Sequence, residues 1–169
     1  PRFSQDIWLP VLWANAKTYY QRHGQRQDSW HWIPAEFDLY DVEREQDIKK
    51  LFLKQQPDIL ALSLYVWNYR LSLSIAKWVK EIAPRCIVVT GGPHQSFKHD
   101  ANWFQKHHYI DASLPGECYG ELCITEILDN YNNGTVDWDQ VTDIRYPRGR
   151  TRQIAVSGKS MSRSNKKYF

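Results

Sequence analysis

Apolar residues form two almost unbroken runs in the middle of the chain, at residues 59–66 and 86–90. Each run has the length of a strand, and apolarity without alternation indicates burial on both faces, as in a parallel sheet. The second run is also rich in β-branched residues, which favour strands. Shorter strands are predicted at residues 37–40 and 109–113. The pattern therefore predicts several strands of one largely buried parallel sheet.

Between these runs, apolar residues recur at helical spacing. Leu71, Ile75 and Val79 share one face of a helix that Pro84 ends. Helices are predicted over residues 9–22, 47–55, 71–82, 97–107 and 121–131. Strands that alternate with helices through short connections predict an α/β fold. We expect a doubly wound Rossmann- or flavodoxin-like parallel sheet with helices on both faces.

The pattern changes after Gly134, where apolar and polar residues begin to alternate. Residues 141–146 and 153–156 predict two strands joined by a turn, that is, a β-hairpin. We therefore divide the chain into an α/β domain over residues 1–134 and a hairpin with a basic linker over residues 135–169.

One expected strand is missing at the beginning of the chain. A doubly wound sheet places a central strand before the first helix, but residues 1–8 are too polar to form it comfortably. We therefore expect that strand upstream of Pro1 and interpret the chain as a piece of a longer protein.

Charge is distributed unevenly along the chain. The net charge is +3, but residues 144–169 hold eight basic side chains and no acidic one. The first 143 residues carry a net charge of −5. A basic segment can bind nucleic acid. The aromatic residues of this segment are Tyr146 near its start and Tyr168-Phe169 at its end. Because none lies among the basic residues between them, we favour a linker and do not expect nucleic acid as the partner.

The remaining composition argues against several classes of function. Three cysteines do not suggest a disulfide scaffold and favour a reducing cytoplasm. No Cys or His spacing matches a zinc site, and His107 and His108 are interpreted as a solvated surface. No apolar stretch reaches the length of about 20 residues that spans a membrane. The motifs of dinucleotide-binding proteins, P-loop proteins and G-x-S-x-G hydrolases are missing. From these observations together we expect no catalytic residue, no metal ligand and no membrane partner.

Ligands of open α/β sheets bind at the carboxyl ends of the strands. Three loops are predicted at that edge, over residues 65–70, 91–96 and 114–120. The first offers aromatic rings and the amide of Asn68, and the other two are rich in glycine, which lets a ligand approach the backbone. Together they predict a pocket for a large, partly flat ligand with hydrogen-bonding groups.

Each of these features also has a purely structural interpretation. The glycine pair at residues 91–92 would then only turn the chain, and the Ser63 hydroxyl would bond a neighbouring carbonyl group. Trp67 would cover the sheet edge, and Glu117 would complement the positive N-terminus of the last helix. His94 is a candidate base, but the sequence shows no partner for it. The case for a ligand therefore rests on three loops meeting at one edge.

Three motifs in a fixed order resemble the cobalamin (B12)-binding domain that precedes the catalytic barrel of B12-dependent radical S-adenosylmethionine (SAM) enzymes. Such domains carry a Leu-Ser-x-Tyr-x-Trp-Asn run, an Ile-Val-x-x-Gly-Gly-Pro run and a Gly-Glu run. The corresponding segments here are residues 62–68, 87–93 and 116–117. The resemblance covers residues 35–130 and continues more loosely into the predicted hairpin.

This resemblance implies a cobalamin site built from the same motifs. Ser63 would hydrogen-bond the nucleotide tail of the cofactor, the glycine pair would let that tail run close to the sheet, and residues 65–68 would border the lower face of the corrin. The full set of cofactor-binding residues would be Ser63, Tyr65, Val66, Trp67, Asn68, Gly91, Gly92, Pro93, Gly116 and Glu117. The resemblance also implies methyl transfer or radical rearrangement, with a 4Fe–4S cluster and SAM in a radical SAM domain after Phe169.

The sequence departs from the family pattern at three points. The D-x-H-x-x-G motif that supplies a histidine to cobalt in mutases is missing, so we expect no histidine ligand from this chain. The family's G-E-x-E reads Gly-Glu-Cys-Tyr at residues 116–119, and the cluster-binding C-x-x-x-C-x-x-C is absent. Two alternatives stay open: a degenerate scaffold or recognition domain that no longer binds cobalamin, and a flavodoxin-like module for flavin or nucleotide.

Overall fold

The computed structural model describes residues 8–26, 30–33, 44–94, 101–114, 120–148 and 153–156, with side chains described for residues 14–26, 30–33, 45–94, 102–114 and 120–148. The described helices are α1 (Trp8–His23), α2 (Arg44–Gln55), α3 (Tyr69–Ile82), α4 (Ala101–Lys106) and α5 (Gly120–Asn130). The described strands are β1 (Ile59–Ser63), β2 (Ile87–Gly91), β3 (Ala112–Ser113), β4 (Tyr131–Asn132), β5 (Thr135–Val136), β6 (Arg145–Arg148) and β7 (Gln153–Val156). None of these helices is long and apolar enough to cross a membrane.

The main sheet has the strand order β1-β2-β3-β6-β7. Strands β1, β2 and β3 run parallel, with Ile59 opposite Ile87 and Ser63 opposite Gly91. Strand β6 pairs antiparallel with β3, and β7 pairs antiparallel with β6. The structure therefore confirms an α/β Rossmann-like fold, with a mixed sheet whose first three strands form the parallel part.

Both faces of β2 are covered, whereas β1 is only half-buried. Successive side chains of a strand point to opposite faces, and in β2 Val88 packs with the helices α2, α3 and α4 while Val89 packs with α5. Val88 and Val89 are both fully buried. This two-sided burial is the physical reason why the sequence of β2 shows no alternation, and it confirms helices on both faces.

Several boundaries differ from the predicted ones. Strand β1 ends at Ser63 rather than at residue 66, and the helix predicted over residues 97–107 is described only over Ala101–Lys106. A small hairpin of β4 and β5 follows α5, with Gly134 at a φ of +85° in its turn. The strand predicted over residues 37–40 lies outside the described residues.

The predicted hairpin is part of the main sheet. Ser113 of β3 pairs with Arg145 of β6, and β6 pairs with β7 over four residue pairs from Arg145 to Arg148. The strand predicted from residue 141 begins only at Arg145, because Glu126 of α5 accepts hydrogen bonds from the Thr142 backbone N–H at 2.7 Å and from its hydroxyl at 3.1 Å. The division at residue 134 stays a prediction, and the hairpin extends the sheet of the first part.

The interpretation of His107 as a solvated residue is wrong. His107 is buried, and its Nδ1 lies 2.6 Å from the Tyr109 hydroxyl. Its ring also packs against Trp103, with 4.7 Å between the ring centroids. Burial lowers the pKa of His107, since the charged imidazolium is poorly solvated there. Only His108 is exposed as expected.

A partly buried ion pair holds the amino ends of the strands together. Lys80 Nζ donates to the Asp111 carboxylate at 2.6 Å and to the Cys86 carbonyl at 2.6 Å. The same carboxylate accepts a hydrogen bond from the Val88 backbone N–H at 2.7 Å. Lys80 and Asp111 also border a shallow depression at this edge of the sheet. The depression is therefore on the edge opposite to the predicted ligand loops.

The described cysteines are expected to resist thiol reagents. Cys86 and Cys123 are buried free thiols, and burial raises the pKa of Cys86 to about 12 and the pKa of Cys123 further. Because the thiolate is the reactive form, a thiol with a pKa near 12 is ionised in only about one molecule in ten thousand at pH 8. Ellman's reagent should therefore label no thiol of a folded Cys118→Ser variant at pH 8 until denaturant is added. Rapid labelling of the folded variant would contradict this burial.

Candidate functional site

The ends of β1 and β2 and the loops that follow them are tied together by backbone hydrogen bonds. Leu64 N–H donates to the Gly91 carbonyl at 2.7 Å, and His94 N–H donates to the Leu64 carbonyl at 3.2 Å. Leu114 N–H donates to the Thr90 carbonyl at 2.8 Å, so the third loop begins beside the second. The structure therefore brings the first two predicted loops together at the carboxyl edge of the parallel strands. Gly116 and Glu117 of the third loop lie outside the described residues.

The loop after β1 is closed by the side chain of Asn68. Its Nδ2 donates to the Ser63 carbonyl at 2.8 Å, and its Oδ1 accepts from the Tyr65 backbone N–H at 2.8 Å. Asn68 directly precedes α3, where an asparagine side chain usually accepts a hydrogen bond from the first turn of the helix. No such capping bond is made here. The amide is therefore committed to the loop rather than to the helix.

An exposed aromatic platform stands on this loop. The rings of Tyr65 and Trp67 stack with 4.8 Å between their centroids and 6° between their planes. Trp67 is 55% exposed and Val66 is 74% exposed, although both are large apolar residues. Apolar surface that is exposed next to polar groups is typical of a binding site. We call Tyr65, Val66 and Trp67 the loop platform.

Ser63 sits at the base of this loop, opposite Gly91 in the β1–β2 register. The structural interpretation assigned its hydroxyl to a neighbouring carbonyl group, but it bonds no residue that the structure describes. Its backbone carbonyl, in contrast, is bonded by Asn68. A half-buried hydroxyl beside a backbone carbonyl that is already bonded can still donate and accept a hydrogen bond to a ligand.

The two glycines at the end of β2 differ in what a Cβ atom at each position would contact. Gly92 has a φ of +95°, and a Cβ there would lie 2.7 Å from the Leu64 carbonyl oxygen and 2.8 Å from the Leu64 nitrogen. The fold itself therefore requires glycine at this position. A Cβ at Gly91 would lie 3.4 Å from Leu114, which is an ordinary contact. Pro93 follows in the turn and is exposed.

Sequence reasoning missed the residues that hold the second loop. The rings of His94 and Tyr69 meet edge to face with 4.8 Å between their centroids, and Trp103 Nε1 donates to the Tyr69 hydroxyl at 2.9 Å. His94 is therefore a packing partner of the first residue of α3, where the sequence offered it only as a base. The aromatic character of Tyr69 and Trp103 was visible in the sequence, but nothing indicated that the two residues meet.

The described residues hold no group of three or more His, Cys, Asp or Glu side chains suited to a metal ion. Among the described residues, the edge offers the Ser63 hydroxyl, which bonds no other residue, and the backbone at Gly91, which has no side chain to block a ligand. It also offers the apolar surface of the loop platform. This combination suits an organic ligand with an extended polar part and a broad apolar face.

Comparisons with known proteins identify relatives that are named as methyltransferases. The cobalamin-dependent radical SAM methyltransferase TokK of Streptomyces tokunonensis is 38% identical over 108 residues, which is 64% of this chain and 15% of that protein. The 2-(S-pantetheinyl)-carbapenam-3-carboxylate methyltransferase of Streptantibioticus cattleyicolor is 44% identical over 72 residues, 43% of this chain and 10% of that protein. The chain is related to the B12-binding-domain family.

Further comparisons are consistent with this relation. An uncharacterized methyltransferase of Pyrococcus horikoshii is 33% identical over 88 residues, covering 52% of this chain and 18% of that protein. No family model matches the chain. The chain spans less than a fifth of the length of each of these curated relatives. The B12-binding-domain relation therefore concerns a segment of those proteins.

Proposed function

We propose that this chain is the cobalamin-binding domain of a B12-dependent radical SAM methyltransferase. All three relatives described above are named as methyltransferases, and one of them is named as cobalamin-dependent. This favours methyl transfer over radical rearrangement among the reactions that the sequence resemblance implied. Cobalamin, when bound, supplies a cobalt centre that exchanges methyl groups. The 4Fe–4S cluster and SAM of the proposed enzyme would belong to a catalytic domain outside these 169 residues.

The observation that carries the proposal is the hydroxyl of Ser63 at the carboxyl edge of β1, which bonds no other residue in the part of the chain that the structure describes. This hydroxyl would bond the nucleotide tail of cobalamin, which carries phosphate and ribose oxygens. Gly91 would let the tail approach the backbone, since only Leu114 lies near the position of its missing side chain. The residues at this edge therefore fit an extended polar tail.

The loop platform would bind the other part of the cofactor. Val66 and Trp67 expose apolar surface, and the Trp67 ring is held parallel to the Tyr65 ring. A broad corrin ring can cover such a surface and remove it from water, which stabilises binding by about 25 cal/mol per Å² of apolar area. In this arrangement the side of the corrin that faces away from the platform is free for a radical SAM domain of the same protein.

The proposal predicts that the purified chain retains hydroxocobalamin through a desalting column, with the visible spectrum of the corrin. Ser63→Ala should weaken binding five- to tenfold, because one hydrogen bond to the cofactor contributes about 1 kcal/mol. Ser74→Ala is the matched control: this serine is exposed on α3 and bonds Glu45, away from the edge. Its dissociation constant should equal that of the wild-type chain.

Three outcomes separate this proposal from its alternatives. No retained corrin absorbance would contradict it and favour the degenerate scaffold. Retention of flavin mononucleotide in place of cobalamin would favour the flavodoxin-like module. Equal weakening by Ser63→Ala and Ser74→Ala would show that cobalamin binds somewhere other than the carboxyl edge of β1.

A further inference from the structure

Asn68 departs from the usual behaviour of an asparagine at the start of a helix. Such a residue normally accepts a hydrogen bond from the second or third backbone N–H of the helix, which stabilises the helix. Asn68 instead turns both ends of its amide back to Ser63 and Tyr65, at 2.8 Å each. Helix α3 also has no acidic residue in its first turn to compensate for the missing cap. The Asn68 side chain therefore stabilises the loop rather than the first turn of α3.

The segment that Asn68 holds carries or adjoins the Ser63 hydroxyl and the loop platform, which the proposed function uses. The two bonds of Asn68 bracket Leu64, whose own N–H and carbonyl bond Gly91 and His94. The backbone from Ser63 to Tyr65 is therefore held from both sides. Because a side chain leaves the backbone in a fixed direction, holding this segment also fixes the directions in which the side chains of Ser63 and Tyr65 leave it. Trp67 stacks on the Tyr65 ring.

We propose that Asn68 is a positioning residue that shapes the loop for cobalamin through its amide bonds. The inference rests on the proposed function and deepens it. The family resemblance implied that Asn68 borders the corrin, whereas here its carbonyl oxygen and one N–H are engaged by the protein's own backbone. The amide acts on the cofactor through Ser63 and the loop platform.

Asn68→Asp separates this role from a merely structural one. Aspartate keeps an acceptor for the Tyr65 N–H, but it loses the donor to the Ser63 carbonyl and places a negative oxygen beside that carbonyl oxygen. The carboxylate would turn instead to the N-terminus of α3, where it is a favourable cap. We expect an unchanged or higher melting temperature together with at least tenfold weaker binding of hydroxocobalamin. If Asn68 only supported the fold, Asn68→Asp would lower the melting temperature and the affinity for hydroxocobalamin together.

Asn130→Asp is the matched control. Asn130 Nδ2 donates to the Glu126 carbonyl at 2.8 Å, so this variant also removes an amide bond to a backbone carbonyl, but at the far end of α5. Its affinity for hydroxocobalamin should equal that of the wild-type chain. The near-ultraviolet circular dichroism of the stacked Tyr65 and Trp67 rings gives a second readout that needs no cofactor. Its contribution is defined by the difference between wild-type and Trp67→Phe chains.

The two readouts distinguish failure of the inference from failure of the proposed function. If the wild-type chain retains cobalamin and Asn68→Asp binds it equally well, the positioning role is overturned and the proposed function stands. If the Tyr65–Trp67 signal is unchanged in Asn68→Asp, the amide does not set the loop, whatever the affinity. If the wild-type chain retains no cobalamin, the proposed function is overturned, and with it the role of Asn68 towards that cofactor. Loss of the ring signal would then show only that the amide shapes the loop.

Discussion

Replacing Gly92 with alanine is expected to lower the free energy of unfolding by about 3 kcal/mol. The new Cβ would lie 2.7 Å from the Leu64 carbonyl oxygen and 2.8 Å from its nitrogen, and the φ of +95° is unfavourable for any residue with a side chain. Neither contact involves a flexible side-chain end that could move aside. Urea denaturation followed by circular dichroism measures the change.

Gly91→Ala provides the comparison at the neighbouring position. Its Cβ would lie 3.4 Å from Leu114, which is ordinary contact, so the loss should stay below about 1 kcal/mol. The affinity for cobalamin should also fall in Gly92→Ala, because a shift of Leu64 moves Ser63, the residue that precedes it. Equal losses of stability in the two variants would contradict the packing of Gly92 against Leu64.

Replacing Asp111 with alanine is expected to lower the free energy of unfolding by about 2 kcal/mol. The change leaves the partly buried ammonium of Lys80 without its anion and the Val88 N–H without its acceptor. Asp47→Ala is the control, since Asp47 pairs with Lys50 at 3.2 Å with both side chains largely exposed. That variant should lose less than about 1 kcal/mol.

The Asp111 variant also tests which edge of the sheet binds the cofactor. Asp111 lies at the amino ends of the strands, opposite the loop platform. At temperatures where Asp111→Ala remains folded, its dissociation constant for hydroxocobalamin should match that of the wild-type chain. A loss of affinity as large as that expected for Ser63→Ala would contradict binding at the carboxyl edge.

Much of the fold could be predicted from periodicity. The run at β2 is apolar without alternation because both faces of this strand are covered, and α3 shows its buried face at Ile75 and Val79. The run at β1 predicts the same burial, but this strand is only half-buried and Ala61 is exposed. A burial requirement repeats at the period of the backbone, so it is visible in the sequence. The same logic placed two of the candidate loops at the carboxyl edge, where the structure brings them together.

The details of the site could not be predicted in this way. Hydrogen-bond partners are selected by three-dimensional proximity, and the sequence gives no sign that the Asn68 amide turns back to Ser63 rather than forward to α3. The sequence allowed two interpretations of the glycine at position 92, the approach of a ligand and a turn of the chain, and it gave no sign that the nearest atoms belong to Leu64. The burial of His107 depends on Trp103 and Tyr109, whose rings meet it only in the folded chain.

The sequence by itself thus determined the α/β class, the buried strand β2 and the order of the motifs that relate the chain to the B12-binding-domain family. Only the tertiary structure decided that the hairpin of β6 and β7 extends the sheet and that the Ser63 hydroxyl stays unbonded among the described residues. Local periodicity records which face of an element is buried. Which groups face each other across elements is settled by packing, and that packing leaves one hydroxyl available beside an exposed aromatic platform.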